Sequence, residues 1–339
     1  MAPAIPVIDL AGALRPGGAR TLEVARQMQA AATGSGFFYV VGHGVAGELV
    51  ERQFDAAHAF FQLPLAAKRA VGIGTSSALR GYESIGEQQL DGDARPDLKE
   101  SFYCGLEHAA DHPYVRKGYQ SYGANAWPAK LPGFARQCGD YIVALRALAE
   151  RLMQLLARSL DLPERQFDAV MREPMITLRL LRYPPHPADA DALTFGAGAH
   201  TDWGAVTVLA QDDFGGLEVR LPDGTWAPAT PIPGSFVVNL GDMVPRWTNG
   251  LYRSNPHRVR NVSSGGRPRF SIPFFYSPDY EARIEALPGT VVAGTRPLAE
   301  PCTAGEHLRQ MAERTYGGSR REASAASAAA AAAAVSAVR

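Results

Sequence analysis

From Met175 to Tyr276 the chain is a succession of short apolar runs, each closed by residues that turn the backbone. The runs are Ile176–Tyr183, Val206–Ala210, Leu217–Leu221, Phe236–Leu240, His257–Arg260 and Arg269–Tyr276. Between them lie Asp213-Phe214-Gly215-Gly216, Pro222-Asp223-Gly224, Pro233-Gly234, Gly241-Asp242 and Ser264-Gly265-Gly266. Apolar runs this short, bounded by glycine, proline and aspartate, predict strands. Many short strands at regular spacing predict a sandwich, jelly roll or barrel, so the chain is expected to be mainly β.

The first half has a different texture. Thr21 to Ala32 is alanine-rich and stopped by Gly34 and Gly36, which predicts a helix. Phe37-Phe38-Tyr39-Val40-Val41 predicts a buried strand, and Glu48 to Phe61 a second helix with Pro64 just beyond it. Residues 72 to 133 are rich in Gly, Pro, Asp and Tyr and are expected to form long irregular connections. Phe134 to Leu160 is the clearest helix, with Tyr141, Leu145, Leu148, Leu152 and Leu155 recurring at spacings of three and four. The tail from Ala323 includes Ala328 to Ala334 without interruption and has no side chains able to build a core.

Charge narrows the classes of partner. Lys plus Arg and Asp plus Glu are each 34, so no nucleic acid or anionic membrane is expected as partner. No apolar run is long enough to span a bilayer, and the first residues lack the pattern of a secretory signal. Three scattered cysteines, Cys104, Cys138 and Cys302, are odd in number and contain no C-x-x-C, against a disulfide framework or zinc ribbon. A reducing cytoplasmic setting is expected.

His200-Thr201-Asp202 carries the chemistry. In an extended segment residues two apart share a face, so one imidazole and one carboxylate converge. His257 opens a candidate strand in the same half and is the best placed third ligand. Two histidines and a carboxylate on one face of iron(II) leave positions open for other molecules. An H-x-D alone is a weak signal, but Gly196, Gly198 and Gly204 crowd this one, which suits close approach of a small molecule.

Arg269 and Ser271 share a second face, while Phe270 and Ile272 point the other way. A buried arginine is costly unless paired, and its planar fork suits a carboxylate. That partner is either a protein acid or the carboxylate of a bound 2-oxo acid. The hydroxyl of Tyr183 can join the same anion or serve packing.

Two other patterns lead elsewhere. Gly42-His43-Gly44-Val45-Ala46-Gly47 has the form of a dinucleotide fingerprint, which would make a nucleotide-binding oxidoreductase, but no acid lies about twenty residues on for the ribose. His43 therefore reads as a turn residue. Glu107-His108-Ala109-Ala110-Asp111-His112 lacks the glutamate that zincins place directly after the first histidine, and Pro113 follows at once, so a solvated loop is expected.

With these residues in hand, the chain resembles the isopenicillin N synthase-like branch of the 2-oxoglutarate/iron(II)-dependent oxygenases. The stretches that carry the resemblance are Pro6-Val7-Ile8-Asp9-Leu10, Gly36 to Gly44, Leu181-Arg182-Tyr183-Pro184-Pro185, His200-Thr201-Asp202, Asn239-Leu240-Gly241-Asp242, Asn255 to Val259 and Arg269-Phe270-Ser271. They follow the family's order over roughly residues 5 to 315. The resemblance implies a double-stranded β-helix, the jelly-roll or cupin-like core, with flanking helices. It implies iron on His200, Asp202 and His257, and 2-oxoglutarate held by Arg269 and Ser271 with Tyr183. It implies oxidation of a small organic molecule with dioxygen, hydroxylation by default, releasing succinate and carbon dioxide. An iron oxidase of the same fold that does not use 2-oxoglutarate is the nearest rival. The texture is nearest bacterial members and thymine-hydroxylase-like or ethylene-forming relatives, without assigning their substrates.

Trp203 stands where tyrosine is the commoner residue in the family. Trp203 and Phe275, with Arg80, Tyr82 and Phe102 from the 72–133 region, are the expected substrate contacts. The chain divides into an N-terminal mixed region packed on the core (1–170), the iron and 2-oxoglutarate domain (171–285), a C-terminal helical segment (286–320) and the alanine-rich tail (321–339).

Overall fold

The structure is a computed structural model, and it describes residues 5–186, 191, 193–260, 266–291 and 295–313. The alanine-rich tail, the end of the C-terminal helical segment and part of the Ser264-Gly265-Gly266 turn lie outside the described residues.

Three predicted elements of the first half form where composition and the flanking Gly and Pro residues placed them. They are helix α1 (Thr21–Thr33), strand β2 (Phe37–Val41) and helix α2 (Gly47–Phe61). Strand β1 (Val7–Asp9) precedes them and pairs parallel with β2. The 72–133 region is more regular than expected. After the short α3 (Leu65–Arg69) it contains β3 (Gly81–Glu83), β4 (Glu100–Cys104) and the single turn α4 (Pro113–Arg116). Helix α5 (Phe134–Ser159) follows as predicted, with Tyr141, Leu145, Leu152 and Leu155 fully buried.

The β-rich half runs β5 (Met175–Tyr183), β6 (Ala197–His200), β7 (Val206–Gln211), β8 (Leu217–Arg220), β9 (Trp226–Pro228), β10 (Phe236–Leu240), α6 (Met243–Trp247), β11 (His257–Val259) and β12 (Arg269–Ser277). Two short strands, β13 (Arg283–Ile284) and β14 (Cys302–Thr303), pair with each other, and a helix covers 304–313.

An eight-stranded sheet has the order β1-β2-β10-β7-β12-β5-β4-β3, and a four-stranded sheet the order β6-β11-β8-β9. The N-terminal region is therefore not simply packed against the β core. It supplies β1 to β4, half of the larger sheet. The two sheets make the double-stranded β-helix.

Strand alternation sorts side chains to two cores. Phe38 and Val40 of β2, Leu178 and Leu180 of β5, and Phe270, Ile272 and Phe274 of β12 pack with α1, α2 and α5 on the outer face. Phe37, Tyr39, Leu181, Tyr183, Leu217, Val219 and Val259 form a second, smaller core between the sheets. The polar residues considered below open into that inner space.

Candidate metal centre

Strands β6 and β11 are antiparallel neighbours with His200 opposite His257, and their ring centroids lie 4.3 Å apart. The β6 strand ends at His200, so strand alternation does not place Asp202. The turn that follows does. Asp242 N donates to Asp202 O at 2.8 Å, and Thr201 Oγ1 donates to Asp242 Oδ2 at 2.9 Å, tying the segment to the start of α6.

The proton positions suit a metal. His200 Nδ1 lies 2.8 Å from Gly198 O. A carbonyl only accepts, so Nδ1 carries the hydrogen and Nε2 keeps its lone pair for a ligand. His257 Nδ1 faces Asn255 O in the same sense, at 3.5 Å. Asp202 Oδ2 is already taken by Thr207 Oγ1 at 2.6 Å and Asn239 Nδ2 at 2.7 Å. Among the described residues Asp202 Oδ1 has no such donor, and it lies 3.8 Å from His257 Nε2. The ligand atoms of His200, Asp202 and His257 all lie within 4.8 Å of one another. Two imidazole lone pairs and one carboxylate oxygen thus face a common point, the donor set of a facial iron(II) site.

Electrostatics holds His200 and Asp202 deprotonated. Burial, then the neighbouring His257 charge, pushes His200 down to about 3. Burial draws the Asp202 carboxyl upward, but the imidazoles of His257 and His200 and the Asn239 and Thr207 hydrogen bonds together keep it below its ordinary value.

A second cluster brings His108, His112 and Glu173 within the same 4.8 Å limit, on a stretch expected to be a solvated loop. His108 instead packs its ring 5.0 Å from that of Tyr122. The proton sits on the wrong nitrogen for a metal. His112 Nδ1 accepts from Tyr114 N at 3.2 Å, capping α4, so His112 Nε2 carries the hydrogen. That hydrogen faces Glu173 Oε2 at 3.9 Å, and the ring offers no lone pair there.

Arg269 lies 3% exposed beneath the same inner face. Its Nε donates to Gly215 O at 2.5 Å, Nη1 to Ser271 Oγ at 3.2 Å and Nη2 to Gln211 Oε1 at 3.2 Å. Its guanidinium lies 4.8 Å over the ring of Tyr183, so Tyr183 meets it with a π face. Among the described residues no carboxylate pairs with Arg269. Asp212, the acid nearby, spends one oxygen on Phe270 N and the other on Phe214 N. A buried cation without an ion-pair partner is costly, and a bound anion would offset that cost.

The expected substrate contacts divide. Phe275 lines the pocket that holds the triad and Arg269, together with Leu90, Lys99, Arg179 and Leu181. Trp203 is half-buried beside Asp202 and does not line it. Arg80, Tyr82 and Phe102 do not reach it either. Arg80 is buried elsewhere, donating to the carbonyls of Cys104, Ser121 and Ile176 and to Thr177 Oγ1. Tyr82 and Phe102 pair across β3 and β4 and belong to the outer core.

The 72–133 region does cover the pocket, but through other residues. Residues 84–99 form a strap across β6. Leu98 N donates to Phe195 O at 2.9 Å, and Gly198 N donates to Asp97 Oδ1 at 2.9 Å. Gly198 and Gly204 accommodate protein, not ligand. A Cβ on Gly198 would lie 2.7 Å from Asp91 Cβ, and one on Gly204 would collide with Ser277 Oγ. Gln211, Lys99 and Arg179 are site residues that sequence reasoning missed. Strand alternation was the available signal for Gln211, which lies opposite Ser271, and for Arg179, two residues before Leu181.

Comparison with known proteins agrees with this geometry. Residues 5–130 match the model of the non-haem dioxygenase in morphine synthesis N-terminal family, and residues 173–278 that of the 2OG-Fe(II) oxygenase superfamily. A 2-oxoglutarate-Fe(II) type oxidoreductase of Emericella nidulans is 40% identical over 323 residues, 94% of this chain and 92% of the relative. A full-length Neurospora crassa protein, solved in complex with alpha-KG, superimposes with a TM-score of 0.81 at 31% identity, covering 91% of this chain and 96% of that one. A 2OG-Fe(II) oxygenase family protein from Caulobacter crescentus gives a TM-score of 0.81 at 30% identity, covering 92% and 99%.

Proposed function

The chain belongs to the isopenicillin N synthase-like branch of the 2OG-Fe(II) oxygenase superfamily, and on that premise we propose how its own residues divide the work. It is a 2-oxoglutarate- and iron(II)-dependent oxygenase acting on a small organic molecule. We assign iron binding to His200, Asp202 and His257. We assign the distal carboxylate of 2-oxoglutarate to Arg269 and Ser271, with Tyr183 as the platform beneath the guanidinium. The observation that carries this division is the buried Arg269 with no protein acid against it among the described residues.

When bound, the iron couples oxidative decarboxylation of 2-oxoglutarate to the reduction of dioxygen, giving succinate, carbon dioxide and an oxidant for the substrate. The protein's part is placement. Thr207 and Asn239 hold one oxygen of Asp202 so that the other faces the metal. Gly198 O fixes the His200 tautomer. Arg269 orients the co-substrate through a charge-assisted fork. Leu181, Leu209, Leu217 and Phe275 line the pocket with apolar surface, which excludes water from the reaction. Hydroxylation is the outcome we assign, the default for this chemistry.

Relatives differ in what they act on. One solved complex of the Neurospora crassa protein contains thymine, and two relatives are homoarginine-6-hydroxylases, from Oryza sativa and Glycine max. We also place the protein in a reducing compartment, in keeping with Cys104, Cys138 and Cys302 being free.

The test is Arg269→Ala, assayed by calorimetric titration of the anaerobic iron(II) protein with 2-oxoglutarate. Affinity is expected to fall by about 2–5 kcal/mol, because one partner of a buried charge pair is lost. Unchanged affinity removes Arg269 from the co-substrate site.

A further inference from the structure

The pocket is lined by basic residues in two places. One is Arg269 with Ser271. The other is Lys99 with Arg179. Strand β5 sets the scale, because Arg179 and Tyr183 share its inner face four residues apart, about 13 Å at the rise of a strand. A short diacid anchored on Arg269 and reaching the metal leaves the second place to another molecule.

The two cations there are not equivalent. Arg179 is committed, with Nε on Ser101 Oγ at 3.1 Å, Nη2 on Glu83 Oε2 at 2.9 Å and Gln88 Oε1 at 2.8 Å, and its plane 4.5 Å over the Tyr103 ring. Lys99 is 3% exposed and lines the pocket. Its Nζ pairs with Asp97 Oδ2, while Asp97 Oδ1 is taken by Gly198 N. Among the described residues Asp97 is the only acceptor for Nζ, which has three hydrogens to place. A buried ammonium with unused donors calls for a further acceptor, and an ionised oxygen makes the stronger bond.

We propose that Lys99 is the substrate-recognition residue and that the substrate is a carboxylic acid, its carboxylate on Lys99 Nζ and its apolar body against Leu90, Leu181 and Phe275. Burial pushes the free ammonium down to about 8, so gaining a carboxylate offsets a standing desolvation cost. The proposal rests on the iron and 2-oxoglutarate reading above.

The test uses the anaerobic protein loaded with iron(II) and 2-oxoglutarate. Binding of indole-3-acetate and benzoate is measured by calorimetry beside their uncharged amides. The acids are expected to bind at least about tenfold tighter than the amides. Lys99→Met should weaken acid binding by about 30-fold or more, leave the amides unmoved and retain the visible band of the iron–2-oxoglutarate complex. Because Lys99→Met strands Asp97, the double variant Lys99→Met/Asp97→Asn is measured alongside, with the same expectation. Acids and amides binding alike, no binding by either acid, or a preference for acids that survives both variants overturns the proposal. Loss of the visible band in the unaltered protein would strike instead at the iron and 2-oxoglutarate reading.

Discussion

At Asp202 the division between the two carboxylate oxygens decides what the metal meets. Asn239 Nδ2 and Thr207 Oγ1 occupy Oδ2, leaving Oδ1 toward the histidines. Asn239→Ala should therefore weaken iron(II) binding by about 10- to 100-fold without removing a ligand, the usual cost of losing an outer-shell partner. Equilibrium titration with a competing chelator checks it. Lys99 makes a pH prediction. Its ammonium is faced by Asp97, Glu83 and Arg179, and burial lowers it from 10.5 to about 8. A base with a lowered pKa keeps its charge below that value and loses it above. Acid binding should hold below about pH 8 and decline as the pH rises further. At this scale the sequence exposed Arg269 and Ser271 because alternation separated them from Phe270 and Ile272. It misdirected the reading at Arg80, since a charged residue in a loop-like stretch looks available until the fold surrounds it with carbonyls.

Among the elements, the pairing of β6 with β11 and the strap at 84–99 carry the site. Gly198 lets the strap cross β6 closely. Gly198→Ala puts a Cβ 2.7 Å from Asp91 Cβ and 2.9 Å from Asp91 N, so strap or strand must move. We expect a loss of about 1–3 kcal/mol in stability by denaturant titration, with weaker iron binding because His200 lies two residues on. Strands β5, β7, β10 and β12 were legible because their apolar faces are long and bounded by turns. The β6 strand was not, since Ala-Gly-Ala-His carries no strand propensity and is held by its neighbours alone. The β4 strand was hidden by charge. Its Glu100 reads as surface, yet is buried against Lys68 at 2.6 Å and Arg182 at 2.7 Å.

For the whole molecule, the order of strands could not be read from local pattern. The larger sheet inserts β10 between β2 and β7 and carries β3 and β4 on its far edge. Sequence texture divided the chain near residue 170, whereas the sheet joins the two parts. The pocket takes its Phe37 and Lys99 from one side of that division and its triad from the other. Iron(II) and 2-oxoglutarate must bind together in this one enclosed space. The direct measurement is an anaerobic titration of the apoprotein with iron(II) and then 2-oxoglutarate, followed by visible absorption. A weak charge-transfer band that appears only with both present, at one equivalent of each, is the predicted result. Iron binding without the band would contradict chelation by the keto acid, and a protein that takes up no iron would contradict the metal site itself.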